Sequence, residues 1–161
     1  MNPVELLRIA RHLAAGGVGS GRGRPRQSEL QRAVSTTYYA LFHTLARCCA
    51  DLLVGATRTN RDQAAWEQTY RALEHGYARN QCDNRMSMAR FPTEIQEFGK
   101  WFVEMQRLRH QADYDPAIAF SRDRVEQLID DTEVVIAQFN RVPARERRGF
   151  ATHVLLRLRR D

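Results

Sequence analysis

Between residues 28 and 54, apolar positions recur in steps of three and four: Leu30, Val34, Thr37, Leu41, Leu45, Cys48 and Leu52. This is the seam of a long helix. Tyr38, Phe42, Cys49 and Leu53 widen the seam into a face too broad for one neighbour, so the helix must be surrounded by others. Ser28, with Gln31 three residues later, is placed to open it as a capping box. A chain of 161 residues can enclose such a helix only by wrapping most of its remaining length around it.

The flanking segments carry the same period. Residues 3 to 15 place Val4, Leu7, Ala10 and Leu13 at steps of three behind Pro3, which suits a first helical turn. A third helix is predicted over 61 to 80, at the bundle edge because its apolar positions Ala65, Tyr70, Leu73 and Tyr77 are irregular. Residues 81 to 91 read as a loop. Pro92 opens a fourth helix with Ile95, Phe98, Phe102, Met105, Arg109 and Ala112 on its seam. Ser121 caps a fifth, with Val125, Leu128, Thr132, Val135 and Phe139, which Pro143 ends. A sixth, short and basic, carries Phe150, Val154, Leu155 and Leu158 on one side. No segment alternates with the period of a strand. The expected fold is all-α, an antiparallel up-and-down bundle over residues 1–142, with a basic amphipathic extension over 143–161. The core is expected from the seams of the second, fourth and fifth helices.

Composition narrows the class. With 43% hydrophobic and 27% charged residues the chain is an ordinary single globular domain, not a disordered or fibrous one. No run approaches the length of a membrane span, and the N-terminus lacks a signal-peptide layout, so a cytoplasmic protein is expected. Cys48, Cys49 and Cys82 are odd in number, two of them adjacent, which fits reduced thiols and gives no zinc spacing. No metal or cofactor is expected.

Charge is concentrated at two places. Residues 141 to 161 hold seven arginines, among them Arg145, Arg147, Arg148, Arg157, Arg159 and Arg160, against Glu146 and Asp161. Residues 16 to 27, a glycine-rich flexible linker rather than a phosphate loop, add Arg22, Arg24 and Arg26 without an acid. The rest is close to neutral, so these appendages are the candidate surfaces for RNA or an acidic partner. Lys100 is the only lysine, a bias that genomic base composition explains as readily as function.

Arg109 stands where the fourth helix calls for a hydrophobe, with Asp113 one turn on. In one reading Arg109, His110, Asp113 and Tyr114 form a polar site facing Ser35, Tyr39 and His43, which run at every fourth residue along the central helix. In the other, Arg109 and Asp113 are a buried pair that sets register, with Tyr114 over the end of the core. Breaking such a buried pair would cost about 3 kcal/mol. His43 alone on a helix is either a hydrogen-bonded structural residue or an acid–base group.

Two strings together resemble a known pattern: Arg32-Ala-Val-Ser35-Thr-Thr-Tyr38-Tyr39-Ala40-Leu-Phe42-His43, then Arg109-His-Gln-Ala112-Asp113-Tyr114. They are similar to Arg-x-x-Ser-x-x-Tyr-Tyr-Ala-x-Phe-His and Arg-x-x-Ala-Asp-Tyr of small stand-alone prokaryotic HEPN-domain proteins. The resemblance spans roughly residues 3 to 140. It implies a helical bundle, commonly a homodimer. The wider superfamily includes ribonucleases of toxin–antitoxin and defence systems, often paired with a small nucleotidyltransferase, alongside non-catalytic binding members.

The ribonucleases of that superfamily carry an Arg and a His separated by about four to six residues near this helix end. Here Arg107 and Arg109 lie too close to His110, and the matching spacing, Arg147 or Arg148 to His153, falls in the basic tail. Three functions are therefore weighed. The first is a HEPN-like protein that binds RNA, a nucleotide or an acidic protein. The second is a metal-independent RNA endonuclease toxin using Arg109 and His110 across a dimer. The third is a structural subunit docked through its basic tail.

Overall fold

A computed structural model describes residues 1–17 and 24–159. Residues 18–23 and 160–161, with Arg22, Arg160 and most of the predicted linker, lie outside the described residues. Eight helices and no strand are found among the described residues: α1 Pro3–Ala14, α2 Gln27–Leu53, α3 Gln63–Arg71, α4 His75–Asp83, α5 Arg85–Met88, α6 Thr93–Tyr114, α7 Arg122–Arg141 and α8 Ala144–Leu155. None is long and apolar enough to cross a membrane.

The long second helix is the hub, packed against α1, α3, α6, α7 and α8. Its face includes hydroxyl residues because Thr36, Thr37 and Thr44 each donate to the carbonyl four residues back, so burial strands no polar group. The helix begins one residue before Ser28. The backbone N–H of Arg26 donates to the Glu29 carboxylate at 2.7 Å, and this cap replaces the expected Ser28–Gln31 one. The first helix stops at Gly16 and Gly17, both at positive φ, where their N–H groups close the last turn onto Leu13 and His12 carbonyls. Its buried stripe is Leu6, Leu7, Ala10 and Ala14; Val4, expected on the seam, is 72% exposed. Arg11 ties the outer face of α1 to Asp130 and Glu133 of α7, each at 2.6 Å.

Two expectations fail between residues 61 and 91. The predicted single third helix is broken at Ala72–Glu74 into α3 and α4, where Leu73 turns into the core. The break is sustained by His75, which stacks on Phe42 with ring centroids 3.9 Å apart and meets the Tyr38 hydroxyl at 2.6 Å. An unbroken helix would forgo both contacts. The predicted loop over 81–91 is largely helical, because Cys82 and Met88 bury against α6 at Gly99. A Cβ at Gly99 would lie 2.7 Å from Met88 Cε, so the methionine end packs directly over the glycine.

The basic extension is not an appendage through its helix. Phe150, Ala151 and Val154 of α8 are fully buried. Phe150 meets Phe98 of α6 and Phe139 of α7 edge-on, at 6.1 and 5.9 Å, and those two rings stack at 4.3 Å. The core therefore uses α8 together with the seams of α2, α6 and α7, and Val135 is only half-buried. Of the apolar positions predicted for this helix, Phe150 and Val154 are buried, Leu155 is half-buried, and Leu158, 92% exposed, lies beyond the helix end. All three cysteines are free and buried.

Candidate functional site

Helices α2 and α6 bring four of the predicted polar residues into one chain of contacts. Ser35 Oγ donates to Asp113 Oδ1 at 2.5 Å, Asp113 Oδ2 lies 3.1 Å from Arg109 Nε, and Arg109 Nη2 donates to the Tyr39 hydroxyl at 3.2 Å. The Nε contact is an ion pair off the N–H axis, without an aligned hydrogen bond. The guanidinium also stands 5.7 and 5.6 Å from the ring centres of Tyr38 and Tyr39. Its Nη1 has no partner among the described residues and is not buried. The expected buried pair is instead a rim pair: the Arg109 side chain is 19% exposed and that of Asp113 31%. The reason is position, since α6 ends at Tyr114 and Asp113 stands on the exposed side of its last turn.

The remaining predicted residues separate. Tyr114 is 67% exposed and covers no core; its ring meets that of His110, also exposed, at 4.9 Å. Arg32 is exposed one turn before Ser35 and makes no side-chain contact with the cluster. His43 borders Tyr39, with ring centres 6.2 Å apart, but its Nδ1 pairs with the Tyr70 hydroxyl at 2.5 Å.

Sequence reasoning missed His75. Its Nδ1 is held by Tyr38, while its Nε2 has no partner among the described residues and is not buried. Burial, and then the positive charge of Arg109, push its pKa down; burial does the same to His43, helped by the N-terminal amine and His75. Both imidazoles are held toward the neutral form. Burial pushes the Tyr38 phenol up, so it stays protonated. The only signal for His75 was the irregular phase of Tyr70, Leu73 and Tyr77 around a His-Gly pair, which marks a break without saying what the break presents.

Beside this cluster, α4 and the end of α6 enclose a groove of about 350 Å³ lined by Gly76, Arg79, Gln106, Arg107, Arg109, His110 and Gln111. Three arginines and a histidine line it, and no carboxylate does. Arg107 and Arg109 are partnered by Glu104 and Asp113 from outside the lining, whereas Arg79 reaches only Asn80, at 3.5 Å. Gln106 Oε1 is buried there without a partner among the described residues. The glycine leaves open space at its position.

Three of the basic residues predicted outside the bundle are held by other groups of the protein. Arg147 donates to the Val142 carbonyl at 2.8 Å and Arg148 to that of Leu52 at 3.2 Å. Arg157 pairs with Glu74 at 3.1 Å and stands over Tyr77. His153 bonds the Gln81 backbone carbonyl through Nε2 at 3.0 Å, so the Arg–His spacing in the tail is structural. Arg24, Arg26, Arg145 and Arg159 are exposed. No group of three metal-ligating side chains occurs among the described residues. No protein-family model matches the chain, and neither curated proteins nor solved structures show a match to it.

Proposed function

We propose that this protein binds RNA through the α4/α6 groove, without itself cleaving it. The observation that carries the reading is a groove lined by Arg79, Arg107, Arg109 and His110 with no carboxylate among its walls. Arg79, with no acid partner among the described residues, adds uncompensated positive charge there that attracts phosphate. Tyr39 and Asp113 hold Arg109 in one orientation, leaving Nη1 without a partner among the described residues. A guanidinium fixed in this way loses little freedom when it takes a phosphate oxygen. The exposed arginines at 24, 26, 145 and 159 extend the positive field but are too scattered to define a site. On this reading the HEPN resemblance belongs with binding members of that superfamily, in a toxin–antitoxin or defence setting with a nucleotidyltransferase as partner and a cytoplasmic location.

The test is anisotropy of a labelled single-stranded RNA over a salt series. Arg79 is exposed, so Arg79→Glu leaves the fold intact. It should weaken binding and lower the salt slope by about one, as for loss of one phosphate contact. Binding unchanged in Arg79→Glu, or absent at low salt in the native chain, refutes the proposal.

One observation favours the ribonuclease alternative. His75, whose Nε2 has no partner among the described residues, and Arg109 both stand against the rings of Tyr38 and Tyr39, a neighbourhood of imidazole and cation that suits acid–base cleavage of a phosphodiester. In this form the base is His75 rather than His110. RNA cleavage by the native chain, abolished in His75→Ala while binding persists, would establish it.

A further inference from the structure

Farther along the contact between α4 and α6 lies a cleft of about 550 Å³, which shares no lining residue with the basic groove. Its volume is that of a small-molecule site. Three helices line it: Cys82 and Asp83 end α4, Arg85 and Met88 belong to α5, and Gln96, Lys100 and Val103 to α6. The separation of α4 from α5 is made by Asn84, which is extended and caps α5 by accepting from the Ser87 N–H at 3.2 Å.

Part of the lining is apolar. Cys82 and Met88 are buried and Val103 is half-buried. The first two pack over Gly99, where a Cβ would lie 3.5 Å from Cys82 Cβ and 2.7 Å from Met88 Cε. Burial, and then the Asp83 charge, push the Cys82 thiol up, so it stays neutral and counts as apolar surface.

The rest is charged and unsatisfied. Asp83, Arg85 and Lys100 are exposed, and none has an ion-pair or hydrogen-bond partner among the described residues. In the basic groove, by contrast, Arg107 and Arg109 both meet carboxylates. Gln96 Nε2 donates to the Phe91 carbonyl at 2.8 Å, which fixes the amide and leaves Oε1 without a partner among the described residues. Two cations, one carboxylate and an amide oxygen thus share a cleft with an apolar floor. Phosphate would meet the cations but lie against Asp83 and leave the floor uncovered. An apolar acid would cover the floor yet leave Asp83 without a cation. A small zwitterion with an apolar arm satisfies all of them.

We propose that this cleft binds a free α-amino acid with an apolar side chain. Its carboxylate lies between Arg85 and Lys100, its ammonium takes Asp83 and Gln96 Oε1, and its side chain covers Cys82, Met88 and Val103.

Isothermal titration calorimetry of the full chain tests this with L-leucine as probe, beside N-acetyl-L-leucine, which lacks the ammonium, and L-leucinamide, which lacks the carboxylate. L-Leucine should bind about tenfold or more tightly than either derivative, and than glycine, which offers the floor nothing. Asp83→Asn should abolish the preference over N-acetyl-L-leucine, and Lys100→Ala and Arg85→Ala the preference over L-leucinamide. These three side chains are exposed, so circular dichroism should be unchanged in each variant. Absence of L-leucine binding at millimolar concentration, derivatives that bind as tightly as the parent, or affinities indifferent to all three substitutions overturn the proposal.

Discussion

Replacing Asp113 by alanine distinguishes a rim ion pair from a buried one. The carboxylate has two partners, the Arg109 guanidinium and the Ser35 hydroxyl. With side chains 19% and 31% exposed and one turn apart on a helix, the pair contributes about 0.5 kcal/mol. The larger share comes from Ser35, which is buried and would lose its acceptor, at about 1 kcal/mol. The sum, about 1.5 kcal/mol, corresponds to a fall in Tm of about 3–6 °C for a chain of this size. Urea denaturation followed by circular dichroism, with thermal melts in parallel, reads both. In a double-mutant cycle, Ser35→Ala added to Asp113→Ala should cost almost nothing further, because the stranded hydroxyl disappears. A loss of 3 kcal/mol or more would mean that the pair is desolvated as a core pair is, and a loss below about 0.3 kcal/mol that these contacts do not form.

Phe150→Ala should destabilise the protein by about 3–5 kcal/mol in the same denaturation assay, since the ring is fully buried between Phe98 and Phe139. For the same reason a chain ending at Val142 should fail to show a cooperative melt. Stability should fall on acidification from about pH 6.5 toward 5: burial lowers the pKa of His75 and His43, so below the ordinary histidine value the unfolded chain takes up protons that the folded one resists. Above that range the contribution is complete, and denaturation midpoints of His75→Gln should show a shallower pH dependence than the native protein. Gly99→Ala should change stability by less than about 1 kcal/mol, because the only close atom is the flexible end of Met88 and alanine favours the helix; a larger loss would show that Met88 has no room to move.

The all-helical architecture was legible because a period of three to four residues is a property of local sequence. Leu30 to Cys48 of α2, and Ile95 to Met105 of α6, are buried as their spacing requires. The partial site Ser35, Tyr39, Arg109 and Asp113 was legible for the same reason, since a charge or hydroxyl on an otherwise apolar face must find a partner across the interface. What failed was whatever depended on contacts between distant segments. The break before His75 is held by Phe42 and Tyr38, more than thirty residues away, and the turn at Met88 by Gly99. Residues 141–161 read as a basic tail by charge count, yet tertiary structure places Phe150 at the centre, with Arg147 and Arg148 on backbone carbonyls and Arg157 on Glu74. Helical period and net charge are sums over neighbours in the chain, which the amino-acid sequence determines. Whether an arginine is solvated, paired or set into a groove depends on which helix end stands opposite, and only packing decides that.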